Sequence, residues 1–174
     1  RDVERSRGLG DVYKRQHLVV MKVSLQRVTE ASAIVLNELG TPDPTFDMVQ
    51  IGPGLVLTIE VEPDDDEGTL ARMAHRVLTL RCFDGPQGQL SSSVQEMHGE
   101  ILSIPQPLTI LRRPAIGRPQ LVSHNDDDEH ANLMWIRFNE ALRSGNVPVR
   151  EGRFGARMRI GSIADGPFQF TLQE

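Results

Sequence analysis

The chain has 174 residues, enough for one domain with a sizeable core. No apolar run is long enough to span a bilayer, and a single cysteine, Cys82, excludes an internal disulfide and most zinc sites, a pattern suited to a reducing cytoplasm. Nineteen Lys+Arg against 24 Asp+Glu give a net charge of −5, which argues against broad, sequence-independent duplex binding by phosphate neutralisation.

Residues 1–20 are unlike the remainder. They carry five of the bases and three of the acids, leaving 14 against 21, and they are polar without periodicity. Leu18-Val19-Val20-Met21 is too short for a signal-peptide core, and Met21 is a second plausible start. The stretch Gly10 to Gln16 looks like translated read-through. Residues 1–20 are therefore expected to be a poorly anchored, non-native-looking extension, and residues 21–174 the domain.

Residues 22–28 and 31–36 alternate as two short strands. Residues 37–50, with Gly40, Pro42 and Pro44, read as a loop, and Leu55 to Ile59 as a buried strand. Asp64-Asp65-Asp66-Glu67 supplies an acidic helix start and cap. Behind it, Leu70, Met73, Ala74, Val77 and Leu78 share one helical face. The acid run lacks the ligand spacing of a calcium loop. Cys82, in an apolar stretch, reads as a small core residue.

Asp84 to Gly88 is a turn. Ile101 to Ile104 is a strand that Leu108 to Leu111 would continue, before a loop rich in arginine and proline. Asp126 to Glu129 opens a second helix, with Met134, Phe138, Ala141 and Leu142 on one face and Gly145 ending it. His124 and His130 flank that acid run on a solvated helix entry, a poor place for a metal. Strands follow at Val147–Val149, Phe154–Ile163 and Phe168–Leu172, with Asp165-Gly166-Pro167 at the end of the middle one. No Ser-His-Asp or Cys-His pattern of recognisable type occurs, nor any zinc-ligand spacing.

Several segments, in order and at matching spacing, resemble one family. They are Met21 to Ser32, Ile51-Gly52-Pro53-Gly54-Leu55, Val77 to Phe83, Gly99-Glu100-Ile101-Leu102, Gly117-Arg118-Pro119, Gly152-Arg153-Phe154-Gly155-Ala156 and Asp165-Gly166-Pro167. The family is that of the D-aminoacyl-tRNA deacylases, and the likeness covers nearly everything after residue 20. It implies a single α/β domain: a mixed barrel-like β-sheet with two main helices packed outside. It also implies a cytoplasmic homodimer with active sites at the subunit interface, no membrane and no metal or other cofactor. The partner would be the 3′ end of an aminoacyl-tRNA.

The implied reaction is hydrolysis of the ester of D-aminoacyl-tRNA, and of glycyl-tRNA as a further substrate, as a chirality proofreading step. In the family, backbone amides and the 2′-hydroxyl of the terminal adenosine support the reaction. A cis Gly-Pro of one subunit enters the pocket of the other, where its carbonyls block the side chain of an L-amino acid. Gly166 and Pro167 match that pair, and a Gly-Pro bond adopts the cis form at a cost of only about 0.5–1 kcal/mol. Ala164 and Phe168 flank it as pocket residues.

The chain departs from the family pattern at the remaining motif positions. Ser-Gln-x-x-Leu reads Pro105-Gln106-Pro107-Leu108-Thr109, which places Gln106, Pro107 and Thr109 at the catalytic positions. Proline at 107 stands where a backbone N–H is expected to face the oxyanion, and it has none. Losing one such donor costs roughly 2.7–4 kcal/mol. Thr109 substitutes only if the strand slips by one residue, which reverses its faces. Asn-x-Gly-Pro-x-Thr reads Ala164 to Gln169 without its two polar flanks. Arg112, Arg113 and Arg118 are candidate tRNA contacts, or simply a solvated basic loop. Two readings result: a working deacylase, or a weakened or inactive paralogue that keeps the fold and dimer and binds an acceptor end or small ligand.

Overall fold

The computed structural model describes residues 20–106, 109–112, 116–123 and 128–174. Of the extension expected at residues 1–20, residues 1–19 lie outside them. The elements in chain order are β1 (Lys22–Leu36), β2 (Val49–Ile51), β3 (Gly54–Glu60), α1 (Glu67–Thr79), β4 (Phe83–Gly85), β5 (Gly88–Ser92) and β6 (Glu100–Pro105). They continue with β7 (Thr109–Arg112), β8 (Gln120–Ser123), α2 (Asp128–Arg143), β9 (Val149–Glu151) and β10 (Arg157–Gln173).

The main sheet runs β10-β1-β3-β6-β9, with β2 also paired to β1. β1 pairs antiparallel with β10, β2 and β3, whereas β3–β6 and β6–β9 are parallel. Parallel neighbours need long crossovers. α1 lies in the first crossover and α2 in the second, and the two helices pack against each other. The result is the expected single domain with a nearly closed, barrel-like mixed sheet and two helices. β3 and β6 approach closely at Gly54, where a Cβ would fall 1.8 Å from the carbonyl oxygen of Glu100. Only glycine fits there.

Two apolar clusters hold the sheet. On the helix side Val23, Leu25, Leu57, Ile59 and Ile101 meet Met73, Val77, Phe138 and Leu142. The other face gathers Val28, Ala31, Ala33, Val56, Leu102 and Ile104, with Met158 packed against them. Odd-numbered residues of β1 thus face the helices before residue 28 and the second cluster after it. The cause is a pair of register shifts at Gln26/Val28 and Val28/Glu30. An inserted residue reverses the alternation without ending the strand. The two short strands expected at 22–28 and 31–36 are therefore one bulged strand.

Other boundaries also differ from the sequence reading. The expected loop at 37–50 contains the start of β2, and the turn at 84–88 is the tip of the β4–β5 hairpin. β7 does not continue β6 but pairs with β8 in a separate two-stranded sheet. Phe154–Ile163 and Phe168–Leu172 are parts of one strand, β10, so Gly166-Pro167 sits inside a strand and not at its end.

The first acid run divides its labour. Asp66 is the cap of α1, accepting from Thr69 N at 2.9 Å. Asp65 turns inward, its carboxylate accepting from Met21 N at 3.1 Å and Glu62 N at 2.8 Å. α2 is tied to the sheet by a buried polar chain. Ser103 Oγ donates to Asn139 Oδ1 at 2.6 Å and accepts from Trp135 Nε1 at 2.9 Å, while Asn139 Nδ2 donates to Glu151 at 2.9 Å. Every member is satisfied, the condition under which a buried network stabilises a fold.

Candidate functional site

Along β1 and β10, Gln26 pairs with Gln169 and Val28 with Ala164. Four residues, Asp165 to Phe168, therefore stand opposite one, Arg27, and the Gly166-Pro167 segment leaves the ladder there. Its peptide bond is cis. Ala164, Gly166 and Pro167 are exposed, and Phe168 is half-buried.

Arg27 fastens this excursion. Its Nε donates to the carbonyl of Asp165 at 2.8 Å, and Nη1 donates to the carbonyl of Cys82 at 2.7 Å. The Asp165 carboxylate lies 3.5 Å from Nε. The guanidinium sits 4.9 Å over the Phe168 ring, which packs edge-on to Phe170 at 5.2 Å. A planar donor fork can satisfy two carbonyls and stack on a ring at once, which an ammonium cannot. The sequence reading did not single out Arg27 as a site residue. The available signal was a cation at the centre of an apolar alternating run.

A Cβ on Gly166 would fall 2.2 Å from Phe168 N, so the segment closes on itself too tightly for any side chain there. What it offers is main-chain oxygens on a fixed backbone. Neither residue of the pair carries a nucleophilic side chain. Cys82 is fully buried, and burial pushes its thiol up to about 11, the opposite of a reactive cysteine. It contributes its carbonyl to Arg27.

The other candidate residues lie elsewhere. Gln106 is exposed and its N–H donates to the Ile59 carbonyl at 2.8 Å, at the far end of β3. Pro105 pairs with Ile59, and Lys22 with Glu60, whereas Arg27 pairs with Leu55. The two ends are five residues apart, about 17 Å along the strands. One protomer therefore does not bring Gln106 beside Gly166-Pro167. Thr109 opens β7 opposite Ser123, and Arg112 closes it opposite Gln120. Arg118 is exposed between β7 and β8. Pro107, Leu108, Arg113 and His124 lie outside the described residues. Among the described residues, no three His, Cys, Asp or Glu side chains group as a metal site, and no helix is long and apolar enough to cross a membrane.

The model of the family "D-Tyr-tRNA(Tyr) deacylase" matches residues 24–173. A D-aminoacyl-tRNA deacylase of Bifidobacterium longum subsp. infantis is 52% identical over 87% of this chain and 93% of its own. One of Idiomarina loihiensis is 32% identical over 86% of this chain and 97% of its own. Among solved structures, a c-Myc DNA unwinding element binding protein superposes with a TM-score of 0.69 at 27% identity, covering 88% of this chain and 98% of its own. A probable eukaryotic D-amino acid tRNA deacylase shares the fold, with a TM-score of 0.67 at 18% identity, covering 90% of this chain and 100% of its own. By sequence along nearly its whole described length, and by the architecture that carries the Gly-Pro excursion, the chain belongs to the D-Tyr-tRNA(Tyr) deacylase family.

Proposed function

We propose that the chain hydrolyses the ester of D-aminoacyl-tRNA, acting as a homodimer in which Gly166-Pro167 of one copy completes the pocket around Gln106 of the other. The observation that supports this reading is the four-against-one excursion of β10, held by Arg27 and presented to solvent. The separation of Gln106 from that segment within one protomer supports a site shared between copies. On this reading the main-chain oxygens of the pair stand where an L side chain would project. A D-residue or glycine presents only hydrogen on that side. Ala164 and Phe168 would border the pocket, and Arg112, Arg113 and Arg118 would meet the acceptor end.

The test is release of amino acid from charged tRNA. D-tyrosine and glycine should be freed while L-tyrosine stays attached. Equal release of D- and L-tyrosine would defeat the gate.

A second reading, slowed hydrolysis with fold and binding retained, is favoured by one feature. Proline at 107 supplies no N–H at the position where the family pattern provides one for the oxyanion. On that account tRNA binding persists while turnover falls roughly a hundred- to a thousandfold below that of a relative with an intact motif.

A further inference from the structure

We propose that Arg157 and Arg159 form a track for the phosphate backbone of the tRNA acceptor arm, a site separate from the pocket; the identity of the partner rests on the proposed function. Both side chains are exposed and share one face of β10, opposite Leu36 and Ile34 of β1. Spacing of two residues sets them about 6.8 Å apart. Seven other arginines (27, 72, 76, 81, 137, 143 and 153) have a carboxylate within 4.0 Å, whereas among the described residues no ion pair engages Arg157 or Arg159. Arg118 and Arg150 also have no ion pair among the described residues, but Arg157 and Arg159 lie side by side on one strand face, a local positive field in a chain of net charge −5.

The surroundings mix both signs of charge, with one of the two acids already occupied. Arg157 borders a surface cavity with Leu36, Arg153 and Gly155, and the acids on that cavity are Asp43 and Glu38. Asp43 is already engaged, by Arg153 at 3.3 Å and by the Thr45 hydroxyl at 2.6 Å. The alternate face of the strand carries Met158, packed on the second core cluster, and Ile160, which is exposed. Met158 is thus used in packing, while the arginines lie on the opposite face. Arg159 lies seven residues before Gly166 on the same strand, roughly 24 Å along it. The spacing between phosphate contact and Gly-Pro segment is therefore fixed by β10 itself, whichever protomer supplies the rest of the pocket. Guanidinium forks match phosphate oxygens in pairs, which makes arginine the apt residue for such a track.

The test compares wild type, Arg157→Ala/Arg159→Ala and Arg157→Lys/Arg159→Lys for binding of uncharged tRNA across a salt series. The same variants are assayed on D-tyrosyl-tRNA and on D-tyrosyl-adenosine, which has no phosphates. The alanine pair should weaken tRNA binding at least about tenfold at low salt and reduce the slope of log K against log salt by about 1.5, at 0.7–0.9 per phosphate. The lysine pair should keep most of the slope, and hydrolysis of D-tyrosyl-adenosine should not change. An unaltered tRNA affinity and slope, or equal impairment on both esters, would overturn the track. If wild type hydrolyses neither ester, the proposed activity fails, while the binding series still decides the track on its own.

Discussion

Arg27 donates to the carbonyl of Asp165 at 2.8 Å, from the one β1 position that faces the four-residue excursion of β10. The side chain of one strand thereby fills the gap left in the ladder by the other, and the residue it grips immediately precedes Gly166-Pro167. Hydrogen bonds to a charged group are worth about 1.5–3 kcal/mol each. Arg27→Ala is expected to lower stability by about 2–3 kcal/mol and to reduce the preference for D- over L-tyrosyl-tRNA at least about tenfold. Arg27→Lys should recover part of the stability but little of the selectivity, because an ammonium cannot reach both carbonyls and stack on Phe168. Thermal unfolding and paired hydrolysis rates read the two effects separately.

Gly166→Ala places a methyl 2.2 Å from Phe168 N, in contact with backbone and not with a flexible side-chain end. The segment must shift, and Phe168 with it. Since the site is exposed, stability should fall modestly while hydrolysis of D-tyrosyl-tRNA drops at least tenfold, about 1.4 kcal/mol in barrier. Retained turnover with retained D/L selectivity would show that the backbone at 166 does not line the pocket.

If the missing N–H limits the rate, Pro107→Phe combined with Pro105→Ser and Leu108→Thr should raise single-turnover hydrolysis about a hundred- to a thousandfold. Unchanged turnover in a folded variant would move the cause to Ala164 and the pocket wall.

Asp65 and Asp66 are sequence neighbours with opposite titration. Burial raises the Asp65 carboxyl, whereas hydrogen bonds from Thr69 lower that of Asp66. As pH falls, Asp65 should protonate first in carboxyl-resolved NMR titration. The Asp66 contribution to stability is present above the ordinary carboxylate value and is lost as pH falls through its lowered value. That of Asp65 has the reverse sign: it is present below the ordinary value and is lost as pH rises through the raised one. Asp66→Ala should lower thermal stability near neutral pH through the lost cap.

Cys82, fully buried with its thiol pushed up to about 11, should resist a thiol-reactive dye in the native protein at pH 8 and react promptly in denaturant. Fast native labelling would contradict the packing around Arg27.

Much of this was legible in the chain. Leu70, Met73, Ala74, Val77 and Leu78 marked the buried side of α1, and Met134, Phe138 and Leu142 that of α2. The long strands were not legible as such, for a local reason. At Val28 to Glu30 the bulge reverses which residues are buried, so one strand looks like two. At Asp165 to Phe168 a Gly-Pro sequence looks like a strand end because nothing nearby announces Arg27, 138 positions earlier, as its tether. Asp65 read as part of an acidic helix start and cap, yet it is buried, where Met21 and Glu62 donate to it. Long-range partners of this kind leave no local periodicity.

A mixed-dimer assay tests the shared pocket most directly. Gly166→Ala and Gln106→Ala proteins, each defective alone, are unfolded together, refolded as a mixture and assayed on D-tyrosyl-tRNA. If each pocket draws on both copies, half the dimers carry one intact pocket of two, and about a quarter of wild-type activity returns. If the mixture stays as inactive as its parents, the pocket lies within one protomer and the account is contradicted.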